Sequence, residues 1–179
     1  GTSGGDIAMS IGEGLYRASI AVKANGEMQD LHTPLNQDAT LEIITSKSDE
    51  AHHILMHSAA HLLAQSIKEI FPTAKIAIGP ALTDRFYYDI DVEETINEDI
   101  LVQLEKKMKE ISKRNLQVKR KVFPRNDALD LFKKLNEDYK VEIISELDES
   151  EEISAYGQGD FIDLCRGPHV PSTGKIKFF

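Results

Sequence analysis

The pattern of apolar and polar positions divides the chain into short segments of different period. Residues 6–11 read as a short helix closing near Gly12, and residues 18–24 alternate as a strand. Asn25-Gly26 follows as a hairpin turn signal. Residues 39–45 (ATLEIIT) are rich in β-branched side chains and read as another strand. The polar run 46–50 is the expected boundary between two units, 1–47 and 48–179. It also supplies helix-start chemistry, with Ser48 as cap and Asp49 and Glu50 in the first turn. The helix it opens is expected to run to residue 70 and to stop before Pro72.

Beyond it, short strands are expected at 75–78 and 85–91. Asn97 caps a helix to residue 114, with Ile100, Leu104, Met108 and Ile111 along one stripe. Residues 116–123 alternate as a strand. Asn126 starts another helix with Leu129, Phe132 and Leu135 inward, and strands are expected at 141–144 and 161–164. Helices and strands mix without a regular βαβ rhythm, which predicts an α+β fold with largely antiparallel pairing.

Composition changes this picture little. Hydrophobic residues make up 41% and charged residues 28%, the balance of a soluble globular chain. No apolar run approaches the roughly 18 residues of a membrane span. The opening GTSGGDIAMSIGEG lacks the basic-then-apolar pattern of a secretory leader. A single cysteine, Cys165, excludes an intramolecular disulfide and suits a reducing, cytoplasmic setting. The net charge of −9 argues against an extensive grip on duplex nucleic acid, but the charge is uneven. Residues 105–125 hold nine Lys or Arg and two acids, whereas residues 137–152 hold eight acids and Lys140 as the one base. A basic face of this kind can meet RNA; the plainer reading of 105–114 is the solvated face of a helix.

Two motifs carry candidate chemistry. His57-Ser-Ala-Ala-His61 lies on the expected long helix, where a four-residue spacing puts both imidazoles on one face. On a wheel of roughly 100° per residue they fall opposite the stripe of Leu55, Ala59, Leu62, Leu63, Ile67 and Ile70. They therefore face solvent, a cleft or a second layer; His53, one turn earlier, reads as a surface residue. Cys165-Arg-Gly-Pro-His169 is CxxxH on a turn after a strand, because Gly167 and Pro168 cannot continue a helix. Three imidazoles and one thiolate form a set that matches tetrahedral zinc in ligand type. Asp163, two residues before Cys165 on a strand, points to the same face. Lys140 on its own reads as a surface lysine in a salt bridge. Tyr87, Tyr88 and Asp89 form a polar aromatic strand, and tyrosine can stack on a base and donate a hydrogen bond.

Residues 57–179 resemble the editing domain of threonyl-tRNA synthetases through the strings HSAAHLLAQSIKEIFP, IGPAL, FYYDID, YKVEII and, above all, DLCRGPHVPSTGKIK. Residues 6–46 resemble the later part of a TGS domain, the small ubiquitin-like β-grasp module that precedes editing in that family. The first TGS strands are expected to be missing. The aminoacylation core and anticodon-binding domain have no counterpart, so the chain is not expected to charge tRNA. The resemblance implies a partial β-grasp module over 1–47 and an α+β editing domain with a cleft over 48–179. The implied activity is hydrolysis of the ester of mischarged seryl-tRNA(Thr), sparing threonyl-tRNA(Thr).

The resemblance also assigns the site to His57, His61, Lys140, Asp163, Cys165 and His169, with Tyr88 and Tyr156 on the substrate. It implies that His57 holds or activates a water, and that Lys140 stabilises negative charge or relays a proton. Asp163 is expected to fix the substrate amino group, and His61, Cys165 and His169 to shape the pocket. Replacing Lys140 is expected to cost turnover rather than stability. No cofactor is expected to be required for editing. Zinc remains open, because alanyl-type editing domains bind it with the same four ligand types. The rival readings are a zinc-dependent alanyl-type trans-editing hydrolase and a non-catalytic, TGS-containing RNA-binding module. The implied partners are the 3′ acceptor end of tRNA(Thr) and the remaining synthetase domains, with no membrane. The chain alone is expected to be monomeric and the full-length enzyme a homodimer.

Overall fold

The computed structural model describes residues 1–82 and 85–177. Helix α1 (Gly4–Ile11) is capped reciprocally: the Ser3 hydroxyl accepts the Asp6 N–H, and the Asp6 carboxylate accepts the Ser3 N–H. A short α2 (Glu13–Ala18) leads into β1 (Ser19–Ala24). Asn25 and Gly26 take φ of 50° and 87°, the left-handed pair that a two-residue hairpin turn needs. Strand β2 (Glu27–Asp30) therefore returns antiparallel, with Ala24 opposite Glu27. Strand β3 (Leu41–Thr45) pairs with the other edge of β1, giving the order β2-β1-β3. Helix α1 lies so close to β1 that a Cβ at Gly4 would overlap Val22.

Ser48 occupies the N-cap of α3 (Asp49–Ile70), but its hydroxyl accepts the Thr45 N–H at 3.1 Å rather than a helix N–H. After α3 comes a small antiparallel ribbon of β4 (Lys75–Ile76) and β5 (Ile90–Asp91), shorter than the strands expected. Helix α4 (Glu98–Arg114) starts as expected, with Asn97 Oδ1 accepting the Ile100 N–H at 3.0 Å. Its Leu104, Met108 and Ile111 are buried, and Ile100 packs at the margin of a cluster around Ile67 and Ala74. The main core joins Ile20, Ala21 and Ile44 of the first sheet to Ala51, Ile54, Ala59 and Leu62 of α3 and to Met108 and Ile111 of α4. That core runs from the first sheet across residues 46–50 into α3 and α4. A three-stranded sheet with two short helices has too little apolar surface of its own and buries it against α3.

The third sheet is antiparallel in the order β6-β7-β8, formed by β6 (Val118–Phe123), β7 (Ile153–Gln158) and β8 (Phe161–Leu164). Between β6 and β7 lie α5 (Arg125–Lys134) and α6 (Asp138–Glu146). Helix α5 buries Ala128 and Phe132; Leu135 falls beyond its last turn and is 40% exposed, not inward as expected. Helix α6 replaces the strand expected at 141–144. Lys140 and Ile144, four apart, share its buried face, and a four-residue alternation is too short to separate strand from helix. Among the described residues the fold is α+β with all-antiparallel sheets, none closed into a barrel.

Candidate functional site

Helix α3 carries His57 and His61 on the row opposite its apolar stripe. That row is covered by the third sheet: Ser58, His61 and Gln65 are buried, and Gln158 of β7 donates to Gln65 Oε1 at 2.8 Å. Of the three alternatives, the second layer covers this row and leaves His57 and His61 at the edge of a cleft. His53 is exposed, as expected. The turn after β8 brings Cys165 and His169 to the same place. Cys165 Sγ lies 3.3 Å from His57 Nε2 and 3.3 Å from His169 Nε2. The rings of His61 and His169 stand 4.1 Å apart, and those of His57 and His169 4.3 Å. Gly167 makes the turn possible. Its φ of 78° suits glycine, and a Cβ there would overlap the Tyr156 hydroxyl.

Burial sets the charge of this half of the site. It lowers the His61 pKa to about 4 and pushes His169 well below the usual imidazole range. Burial, helped by the neighbouring His53, also lowers His57. The Cys165 thiol is pushed up to about 12 by burial. At neutral pH the three imidazoles and the thiol are uncharged.

The charged half lies alongside. Lys140, on α6, is 2% exposed, and its Nζ sits 2.6 Å from Oδ1 of the fully buried Asp163. It is not the surface lysine that its acidic surroundings suggested. Tyr88 donates to Asp163 Oδ2, Lys140 donates to the Tyr88 hydroxyl at 3.0 Å, and His61 Nε2 lies 3.7 Å from Asp163 Oδ2. Among the described residues, Asp163 Oδ1 has no partner besides this ammonium. Burial pushes the Asp163 pKa up, but the Lys140 charge, with His61 and Tyr88, outweighs it and holds the carboxyl below its ordinary value. Tyr88, with a ring against which Gly79 packs, lines a cleft of about 210 Å³ together with His57, His61, Lys140 and Cys165.

Two of the expected site residues stand off the cleft lining. Asp163 is fully buried between Lys140 and Tyr88. Tyr156 is 2% exposed and stands behind His169, ring to ring at 4.5 Å, outside the cleft lining. Its hydroxyl donates to Asp30 Oδ2 at 2.7 Å, and the His169 N–H donates to Asp30 Oδ1 at 2.8 Å. Asp30 is a further residue at this site, unmarked in the sequence. A lone Asp at the end of a hairpin strand carries no signal of a site more than a hundred residues away.

The ligand atoms of His57, His61, Cys165 and His169 all lie within 4.8 Å of one another. A tetrahedral zinc, with Zn–N of about 2.0 Å and Zn–S of about 2.3 Å, needs donor separations of roughly 3.3–3.6 Å. Both Cys165 contacts already meet that. His169 Nδ1 shares a 3.1 Å hydrogen bond with Ser58 Oγ, which leaves Nε2 for the cluster. The residues fit zinc in type and number, with a contraction of roughly 1 Å along the longest edge.

Residues 1–45 match the TGS domain, and residues 153–179 match the threonyl and alanyl tRNA synthetase second additional domain. The chain thus matches a TGS module at its start and a domain of threonyl and alanyl tRNA synthetases at its end. Along nearly its whole length it is similar to threonine–tRNA ligases. It is 49% identical over 174 residues to that of Nitrosomonas eutropha and 50% identical over 174 residues to that of Citrifermentans bemidjiense, in each case 97% of this chain and 27% of the relative. To that of Pelobacter propionicus it is 49% identical over 179 residues, 100% of this chain and 28% of the relative. The chain spans about a quarter of the length of these curated relatives and is the counterpart of their amino-terminal region. Among the described residues, no helix is long and apolar enough to cross a membrane.

Proposed function

We propose that this chain proofreads: it hydrolyses the ester of seryl-tRNA(Thr) and spares threonyl-tRNA(Thr). Threonine exceeds serine by one methyl group, and a synthetic pocket gains only about 1–3 kcal/mol from it, roughly 10–200-fold. A second, smaller site that destroys the serine ester supplies the missing discrimination. One observation carries the reading: neutral imidazoles and a thiol share one cleft with the Lys140 ammonium, whose carboxylate partner lies buried behind it. The first set can take a proton from water, and the second can offset developing negative charge.

His57, half-buried at the cleft and neutral at pH 7, is the group that holds and deprotonates the water. Lys140 faces the oxyanion, held there by Asp163 and Tyr88. His61, Cys165 and His169 shape the floor that accepts a hydroxymethyl group and clashes with one more methyl. If zinc is held, these three and His57 hold it, and it supplies Lewis acidity at the same place. The substrate is the 3′ acceptor end of tRNA(Thr). The remaining synthetase domains provide most phosphate contacts, so the chain alone binds tRNA weakly, in keeping with its net charge of −9. In this reading residues 1–47 are the TGS module and residues 48–179 the editing module.

Single-turnover deacylation with the chain in excess tests this. Seryl-tRNA(Thr) is expected to be cleaved at least about tenfold faster than threonyl-tRNA(Thr). Equal rates would sink the assignment. Loss of all activity on chelation would transfer it to a zinc-dependent, alanyl-type hydrolase, and RNA binding without cleavage would leave a non-catalytic module.

A further inference from the structure

We infer that Asp30, contributed by the first sheet, is a positioning residue for the cleft of the second module. The inference rests on the proofreading reading, and its test separates the two. Asp30 is the last residue of β2, held in register opposite Ala21. Its carboxylate bridges two points of the far module: Oδ2 accepts from the Tyr156 hydroxyl on β7 at 2.7 Å, and Oδ1 accepts from the His169 backbone N–H at 2.8 Å. Both points stand directly behind the cleft wall that Cys165 and Arg166 form. Tyr156 packs its ring on the His169 ring at 4.5 Å and closes over Gly167 in the turn. His169 reaches Cys165 Sγ with Nε2 at 3.3 Å.

His169 is therefore fixed at two ends. Ser58 on α3 holds the ring through Nδ1, and Asp30 holds the backbone. The second tether matters because of what lies behind it. A groove of about 500 Å³, lined by Tyr16, His32, Lys119 and Arg120 as well as Asp30 and His169, opens on that side. Without the carboxylate, the 165–169 turn has room to slide backwards into the groove and carry the imidazole and thiol away from His57. A displacement on the order of 1 Å in a reacting site can cost about 100-fold in rate. The first module thus supplies more than a fold neighbour: one of its side chains sets the geometry of the cleft.

The test compares the full chain with Asp30→Ala, Asp30→Asn and Tyr156→Phe, and with Asp38→Ala as an exposed control in the same module. Asp30→Ala is expected to lower the single-turnover rate on seryl-tRNA(Thr) by roughly 10- to 100-fold, with half-saturation by protein little changed. Asn keeps a carbonyl for the His169 N–H and an amide that can donate to Tyr156, so it restores most of the rate. The rate losses from Asp30→Ala and Tyr156→Phe are expected to be strongly non-additive in the double variant, as for residues acting through one contact. Two readouts need no catalysis. Cys165 is the one cysteine, so the rate of modification by a disulfide reagent reports its surroundings, and it rises in Asp30→Ala. The backbone amide resonance of His169 moves as its acceptor is lost. If the unaltered chain fails to cleave seryl-tRNA, the proofreading reading falls, while thiol reactivity and the His169 amide still decide the role of Asp30. If Asp30→Ala matches the unaltered chain in both, or merely lowers Tm while rate and thiol reactivity stay the same, the inference is overturned.

Discussion

The two halves of the cleft are built by opposite means. His57, His61, Cys165 and His169 form a neutral cluster, and burial keeps it neutral by opposing protonation of the imidazoles and ionisation of the thiol. Lys140, Asp163 and Tyr88 form a charged cluster, and there attraction between partners defeats burial and keeps the carboxylate ionised. The lesson concerns dependence. A member of the neutral half can be removed without stranding a charge, whereas Lys140 and Asp163 are each tolerable in the charged half only because the other is present.

The sharpest way to break this comparison is Lys140→Ala. It leaves Asp163 buried without its cation, a loss of about 3–5 kcal/mol, or a fall in Tm of roughly 6–20 °C for a chain of this size. This reverses the expectation, drawn from a lysine in an acidic surface segment, that stability would hardly change. Pairing Lys140→Met with Asp163→Asn removes both charges and is expected to recover most of the stability while ester cleavage stays lost. Urea unfolding of the single and double variants checks it. A single variant as stable as the unaltered chain would show that the pair is not an interdependent unit.

The same contrast explains what could be read from the sequence. HxxxH on a helix and CxxxH on a turn are local motifs, so the neutral half was legible residue by residue, as were α3, α4 and the Asn25-Gly26 hairpin. Lys140 could be named from the string YKVEII but not placed, because that string alternates for four residues and reads as strand; only packing against Phe132 and Ile153 decides for α6. Strand β7 has no alternation to detect: as the central strand of its sheet it buries both faces. Tyr156 was assigned to the substrate by resemblance, and its partner Asp30 is supplied by a hairpin whose sequence specifies only a turn. Contacts between distant segments lie beyond periodicity, and they decide which polar side chains face the cleft and which stand behind it.

Acid should separate the halves next. His61 titrates near pH 4 when folded, against an ordinary 6.5, so between these values the unfolded chain binds more protons. Stability in the metal-free protein is therefore full above pH 6.5, falls as the pH drops towards 4, and loses no more from this group below that. The gap corresponds to about 3 kcal/mol. His169, also lowered by burial, adds to the loss, whereas Asp163 stays ionised until the pH falls below its ordinary 3.8 and contributes nothing in this window. Urea midpoints at pH 7 and pH 4.5 for the unaltered chain and for His61→Asn measure it. The Asn variant should lose distinctly less on acidification. Identical pH profiles would place the acid sensitivity outside the neutral cluster.

The smallest effect on stability, and the cleanest separation of folding from chemistry, is expected at His57. Its ring is only half-buried, and among the described residues its one hydrogen-bonding contact is with Cys165 Sγ. The thiol keeps His169 Nε2 and the Gly167 N–H, each at 3.3 Å, when His57 is gone. No charge is stranded, because His57 is neutral where the protein works. His57→Ala should therefore cost less than about 1 kcal/mol, within the range of ordinary part-exposed substitutions. The rate is another matter. A positioned base contributes about 100- to 10,000-fold, so single-turnover cleavage of seryl-tRNA(Thr) should fall by at least about 100-fold with Tm nearly unchanged. His61→Ala, which empties a fully buried position beside Asp163, should lose both. If His57→Ala keeps its rate, the proton passes elsewhere, and the neutral half serves only to shape the floor on which the charged half acts.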